Sequence, residues 1–299
     1  MSTQPFSSDS LDELLDRTLQ EDIGSGDVTT EATVPPESRA RAVFIAKQSG
    51  ILAGLEVARR LFARVGESID VSFDRDDGSS VETGSTFGTV DGPVRTLLTV
   101  ERSLLNIMQR MSGIATATRQ MVEAAAPYPA TILDTRKTAP GLRPLDKWAV
   151  RLGGGTNHRH GLYDMVLIKE NHIDTVGGVR EAIEAVYQHL EDNDLDLPVE
   201  IETRTLEEVR NAVRTGGLDR ILLDNMVTVS PDGSIDTSML EEALAIIDNR
   251  VPAEVSGNVT LETVPAIAAT GVAYISSGAL THSVTATDIS LLMDLQEGL

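Results

Sequence analysis

The sequence predicts a mixed α/β protein in two parts, an amino-terminal α+β domain followed by a (β/α) barrel short of eight strands. Three observations carry that expectation. Six apolar, β-rich runs recur along the second part, at 130–137, 164–172, 198–203, 219–226, 253–259 and 272–280. Amphipathic helical stretches at 177–192, 205–215, 238–248 and 261–271 separate several of them, the strand–helix alternation of a parallel sheet. The runs also turn polar at their carboxyl ends: Asp134-Thr135-Arg136-Lys137, Lys169-Glu170-Asn171-His172, Glu202-Thr203, Asp224-Asn225, Ser256-Gly257-Asn258 and Ser277-Gly278. A barrel builds its chemistry from several strand ends on one rim, whereas an open doubly wound sheet gathers it at one switch point.

The elements of the first part follow in order. Residues 10–21 open on the N-cap candidate Ser10 and carry leucines at helical spacing, and a turn-rich connector covers 21–34. Alternating apolar residues at 39–50 and 68–92 read as short strands, with a helix over 51–65 between them. From Val94 the period becomes helical through 126, with a break expected near Gly113. The first domain is therefore expected over 1–113, joined by the carboxyl-terminal segment 281–299, and the barrel over 114–280. The run KWAVRLG at 147–153 is a candidate seventh strand.

Composition narrows the function. The 299 residues hold 25 basic and 46 acidic side chains, a net charge of −21. Such a field repels nucleic acid and anionic membranes, so neither is an expected partner. Only Lys47, Lys137, Lys147 and Lys169 are lysines; acid excess with scarce lysine reads as a halophilic surface, with an acidic assembly protein as the alternative. Cysteine is absent, which removes disulfides, thiolate catalysis and cysteine-based metal sites. No apolar run approaches the ~18 residues of a bilayer span, and the amino terminus lacks a signal-peptide pattern, so a cytoplasmic protein is expected.

Against that acidic background one segment stands out. Residues 134–172 hold three of the four lysines, and Arg136, Lys137, His158, Arg159 and Lys169 there would form a cationic pocket. Arginine's planar fork suits carboxylate and phosphate, so the ligand expected is a small polyanion. Glu202 and Asp224 stand at neighbouring acidic strand ends, with Glu200 on the same face as Glu202 by period-two alternation. Two carboxylates beside an anion pocket suit Mg²⁺ shared with substrate, or ribose hydroxyls. The loops Ser256-Gly257-Asn258 and Ser277-Gly278-Ala279 suit a phosphate cradled by backbone N–H groups. His158 and His160 lack a third nitrogen ligand, so no histidine metal site is expected; His160, His172 and His282 read equally well as structural hydrogen-bonders. A Schiff-base lyase using Lys169 as nucleophile is a further reading of the same residues.

These residues also carry a family pattern. The stretch DTRKTAPGLRPLDKWAVRLGGGTNHRHGLYDMVLIKENHI resembles the signature of the quinolinate phosphoribosyltransferases. EDIGSGDVTT, ERSLLNIMQRMSGIAT, ILLDNM, EVSGNVT and SSGALTHS extend the resemblance over nearly the whole length. Three departures are visible: Asn258 where many members carry glycine, Ser277 where valine is usual, and Glu-Thr-Arg at 202–204. The resemblance implies transfer of phosphoribosyl from phosphoribosyl pyrophosphate to quinolinate with decarboxylation, giving nicotinate mononucleotide, pyrophosphate and CO₂, with Mg²⁺. A homologue acting on nicotinate or another heterocycle is the alternative. By resemblance Arg102, Arg136, His158, Arg159 and Lys169 surround quinolinate, and Thr135 is a further substrate-binding residue. Lys137, Lys169, Glu202 and Asp224 engage phosphoribosyl pyrophosphate and its magnesium as the catalytic set, with Glu202 and Asp224 the metal ligands. Ser256, Gly257, Asn258, Ser277, Gly278 and Ala279 hold the 5′-phosphate. Arg102 then comes from a partner subunit, which implies a homodimer or a multiple of it with shared sites.

Overall fold

A computed structural model describes residues 8–66 and 68–294. Residues 1–7 and 295–299, assigned above to the first domain, lie outside the described residues. The chain divides into two compact units, one of 1–119, 139–154 and 283–299, the other of 120–138 and 155–282.

The first unit is built on a four-stranded antiparallel sheet ordered Ile289–Asp294, Arg39–Ala46, Thr86–Pro93, Asp70–Phe73. The period-two burial of Arg39–Ala46 turns Ala40, Ala42, Phe44 and Ala46 inward. Phe44 packs against Phe73 and Phe87 at ring-centroid distances of 5.2 and 5.6 Å. The long helix runs without interruption from Val94 to Ala125, so the break expected at Gly113 does not occur. A Cβ at Gly113 would lie 2.2 Å from the Thr285 carbonyl oxygen. The glycine marks a close backbone approach by the carboxyl-terminal segment and costs helix propensity of about 1 kcal/mol relative to alanine. The KWAVRLG run is not a strand either. It belongs to a helix, Arg143–Leu152, that opens with Pro144 and buries Leu145, Trp148 and Ala149 at helical spacing. Arg110 holds this segment through two 2.8 Å hydrogen bonds to the buried Asp146 carboxylate.

The second unit carries six parallel strands, numbered here β1 (Thr131–Leu133), β2 (Val166–Ile168), β3 (Val199–Thr203), β4 (Arg220–Asp224), β5 (Ala253–Ser256) and β6 (Tyr274–Ser276). All six predicted runs thus form strands, in the order β1-β6-β5-β4-β3-β2. The run at 164–172 is shorter than expected, because a helix starts at Glu170 and extends to Val176. The edge strands β1 and β2 would stand roughly 24 Å apart in a flat sheet of this order. Instead both contribute to one cavity of about 300 Å³, together with all four strands between them. The sheet curls into an incomplete barrel. Its core is a dry layer of Ile168, Ile201, Ile221, Leu223, Val255 and Ile275, backed by helices Val179–Asp192, Leu206–Thr215 and Ser238–Ile247.

Candidate active site

The cavity opens at the carboxyl ends of the strands, and its side chains fall into two layers. The upper layer, at the rim, is charged and partly wet. β1 ends in Thr135, Arg136 and Lys137, β2 in Lys169, β3 in Glu202 and β4 in Asp224, and all six line the cavity. Lys169 Nζ sits 2.6 Å from Glu202 Oε2. This is an ion-paired ammonium, half exposed, in place of the desolvated amine a Schiff-base nucleophile needs. Burial and the nearby Glu202 carboxylate push the Asp224 carboxyl above its ordinary value. The main chain at Lys169 is fixed by its N–H, which donates to His172 Nδ1 at 2.8 Å.

The guanidiniums are less well compensated. Arg136 Nε is buried without a hydrogen-bond partner. Burial, and then the charge of Arg136, push Arg159 below the usual arginine value. Two guanidiniums close enough to oppose each other in a cavity leave a site waiting for an anion. Arg159 is anchored by its own donation to the Met165 carbonyl at 3.1 Å, and its main-chain N–H donates to His158 Nδ1 at 2.7 Å.

The lower layer is dry. Chain 155–158 runs along the free edge of β1, where Thr156 adds one parallel bridge to Leu133. His158 follows it, its N–H donating to Asp134 Oδ1 at 2.8 Å. Its Nε2 points down to Glu200 Oε2 at 2.9 Å and Glu254 Oε2 at 3.5 Å, both glutamates being 0% exposed. Arg220 Nη1 meets Glu254 Oε2 at 2.7 Å, while its guanidinium lies 4.1 Å over the Tyr274 ring. Burial pushes the Glu200 and Glu254 carboxyls up to about 7. The ligand atoms of His158, Glu200 and Glu254 lie within 4.8 Å of one another, a third-ligand arrangement that the histidine spacing alone did not disclose.

Of the predicted residues, Thr135, Arg136, Lys137, His158, Arg159, Lys169, Glu202, Asp224 and Ser256 converge on the cavity. Ser277 is buried with its hydroxyl on the Val259 carbonyl at 3.3 Å, so it offers no side chain to a ligand. Gly278 leaves room for Lys137, since a Cβ there would lie 2.6 Å from Lys137 Cδ. Gly257 (φ +84°) and Asn258 (φ +52°) both adopt the left-handed conformation. Asparagine tolerates that conformation, and its Nδ2 donates to the Val227 carbonyl at 3.1 Å, which accounts for the Asn258 departure. Arg204, another departure, ties the β3 end to the next helix through Glu208 at 2.9 Å and pairs with Glu170 and Asp174. Ala279 opens a short helix, Ala279–His282, and Arg102 is exposed on the long helix of the first unit. Of the three lysines in the 134–172 segment, Lys147 is fully buried in the first unit. Sequence reasoning missed Glu254 and Ser276. The alternation that singled out Glu200 also marks Glu254, an acid two residues before Ser256 on an otherwise apolar strand.

Comparisons with known proteins identify the family and the fold. Residues 27–112 match the family model of the quinolinate phosphoribosyl transferase N-terminal domain, and 114–292 that of the C-terminal domain. The chain is 53% identical over 292 residues to a mitochondrial quinolinate phosphoribosyltransferase [decarboxylating] 2 from Nicotiana glauca, covering 96% of this chain and 83% of that protein. It is 42% identical over 269 residues to a probable nicotinate-nucleotide pyrophosphorylase [carboxylating] from Synechocystis, covering 90% and 88%. The crystal structure of NadC from Streptococcus pyogenes superposes with a TM-score of 0.86 at 36% identity, covering 96% of each chain. Two matched domains in one order, a shared fold and an anion-poised barrel rim have one reading: this chain belongs to the quinolinate phosphoribosyltransferase family.

Proposed function

We propose that the barrel cavity binds quinolinate and phosphoribosyl pyrophosphate and joins them with loss of CO₂, giving nicotinate mononucleotide and pyrophosphate. The observation that carries this reading is the pair Arg136 and Arg159, a buried unpartnered donor beside a guanidinium that its neighbour opposes. Quinolinate supplies two carboxylates to them. Lys137 and Lys169, with the loops at Ser256-Gly257-Asn258 and Ser277-Gly278-Ala279, receive the phosphate groups. Ser277 and Gly278 serve there through main chain and space.

The residues act by position and charge. The C1–oxygen bond of the ribose breaks and its electron pair leaves with pyrophosphate, whose charge Lys137 and Lys169 stabilise. The pyridine lone pair then closes on C1, and Glu202 or Asp224 stabilises the positive charge that develops there. When the 2-carboxylate departs as CO₂ the bonding electron pair stays on the ring carbon, stabilised by the adjacent cationic nitrogen, and that carbon then takes up one proton. Glu202 and Asp224 fit Mg²⁺, because two hard carboxylates stand close enough for one to raise the other. Magnesium bound there with the pyrophosphate would offset its negative charge.

Three further parts of the reading rest on the resemblance and on composition. Arg102 completes the site of a partner subunit in a homodimer or a multiple of it. The location is cytoplasmic, and the acidic surface is a halophilic adaptation. Among the described residues no helix is long and apolar enough to cross a membrane. The deciding experiment follows CO₂ and nicotinate mononucleotide from quinolinate, with nicotinate as competitor. Product from quinolinate alone is expected; equal use of nicotinate would reassign the arginine pair and favour the nicotinate-specific alternative.

A further inference from the structure

The dry layer beneath the cavity contains chemistry that the transfer reaction itself does not use. Glu200 and Glu254 sit on β3 and β5, on either side of β4, and are wholly buried. Both Glu200 oxygens and Glu254 Oε1 have no hydrogen-bond partner, although His158 Nε2 is 2.9 Å from Glu200. Two neighbouring buried carboxyls cannot both ionise at moderate cost, so the pair carries a single charge, which Arg220 faces from Glu254.

The ring between these acids and the cavity has Nδ1 committed to a hydrogen bond and Nε2 turned toward the acids. Nδ1 accepts from the Arg159 N–H at 2.7 Å, so the ring proton resides on Nε2 and points at the glutamates. The ring lines the cavity and also links the barrel floor to the backbone of Arg159.

We propose that Glu254 is a positioning residue: with Glu200 it fixes the His158 ring, and through that ring the main chain that aims the Arg159 guanidinium. The inference rests on the reading of Arg159 as a quinolinate ligand. Glu254 differs from a packing residue because one carboxylate oxygen, Oε2, serves two groups, holding Arg220 at 2.7 Å and facing His158 at 3.5 Å. A side chain one methylene shorter would keep the charge and lose that reach. An isosteric amide would keep the reach, with its oxygen toward Arg220 and His158 and its NH₂ toward Glu200.

The test is the set Glu254→Gln, Glu254→Asp and Glu254→Ala, each with and without Arg159→Ala. Separate KM values for quinolinate and phosphoribosyl pyrophosphate are read at saturating Mg²⁺. Asp and Ala are expected to raise the quinolinate KM ~10-fold and the phosphoribosyl pyrophosphate KM less than ~2-fold, with Gln recovering most of the loss. In the Arg159→Ala background the same changes should add nothing further, since residues acting through one another are not additive. If Glu254→Ala does not fold, Glu254→Asp carries the comparison. Additive effects, equal shifts in both KM values, or a Glu254→Gln loss as large as that of Asp would overturn the proposal. So would stoichiometric metal in the purified protein that Glu254→Gln removes, because the cluster would then be a cation site. If Arg159→Ala alone leaves the quinolinate KM unchanged, it is the reading of the site that fails.

Discussion

The rim and the floor of the barrel hold the same residue types and put them to opposite uses. On β3, Glu202 and Glu200 share a face one layer apart. Glu202, at the rim, pairs with Lys169 within reach of solvent, while Glu200, fully buried, lies beside a second acid with the His158 ring 2.9 Å away and Arg220 acting on it through charge alone. Histidine repeats the contrast. His172, exposed, receives the Lys169 N–H, and His158, nearly buried, receives the Arg159 N–H, so two of the four pocket cations have their main chain set by an imidazole Nδ1. Depth decides what each group can do. A carboxylate within reach of solvent is available to cations, whereas two dry ones share a single charge and act by shape and position.

The largest expected effect lies at the rim. Lys137→Ala and Lys169→Ala each remove a cation from the departing pyrophosphate, and kcat should fall ~10²- to 10³-fold. Lys169→Ala should be the worse of the two, because it also leaves Glu202 without its partner. Measured turnover at saturating substrates checks this, and a change confined to KM would move the lysines out of the transition state. Next comes substrate choice. Arg159→Ala should cost ~30- to 1000-fold in kcat/KM for quinolinate, the value of a bidentate carboxylate contact. Phosphoribosyl pyrophosphate binding should change far less for Arg159→Ala than for Lys137→Ala. Equal losses for both substrates would erase the division of labour inside the cavity.

How much of this was legible beforehand follows from what each signal depends on. The six strands and their polar ends were readable because a buried parallel strand is a short apolar run, and its rim end must be polar. Seven of the nine site residues followed from those ends, and His158 and Arg159 from the cationic segment between the first two. The helix at 143–152 was misread as a possible strand because seven residues of KWAVRLG are too few to separate the two periods. Gly113 misled for a different reason: the backbone approach of Thr285 is tertiary, and no local pattern encodes it. Glu254 was visible as an acid on an apolar strand. Its partnership with Glu200 and His158 was not, since it requires three segments remote in sequence to meet inside a curled sheet.

The floor should declare itself in stability against pH. A carboxyl near 4.5 unfolded and about 7 folded binds more protons in the native state between those values. Stability from this group is therefore complete below pH ~4.5, lost as pH rises toward ~7, and flat above it. The two acids share a charge, so the swing belongs to the pair and amounts to a few kcal/mol at most. Thermal melts across this window should show a descending limb in the wild type and a flatter one in Glu254→Gln. An unchanged limb in that variant would place the pH dependence elsewhere, with Asp224, whose carboxyl is also raised, the first residue to examine.

Salt should separate the layers with the smallest effect. At molar KCl the Debye length falls to about 3 Å, so half-exposed pairs are screened while groups inside the barrel are not. The net charge of −21 repels itself in dilute buffer, and screening it should raise the melting temperature by a few degrees. The same screening weakens the attraction of Lys137 and Lys169 for a polyanion, so the KM for phosphoribosyl pyrophosphate should rise a few-fold as stability improves. The descending pH limb of the floor should keep its shape, because the charge that Arg220 and Glu254 share is out of reach of bulk ions. Melting temperature, KM and pH limb measured on one salt series test all three. A salt-flattened limb would mean that water and ions reach the floor, and the two layers would then be one wet site.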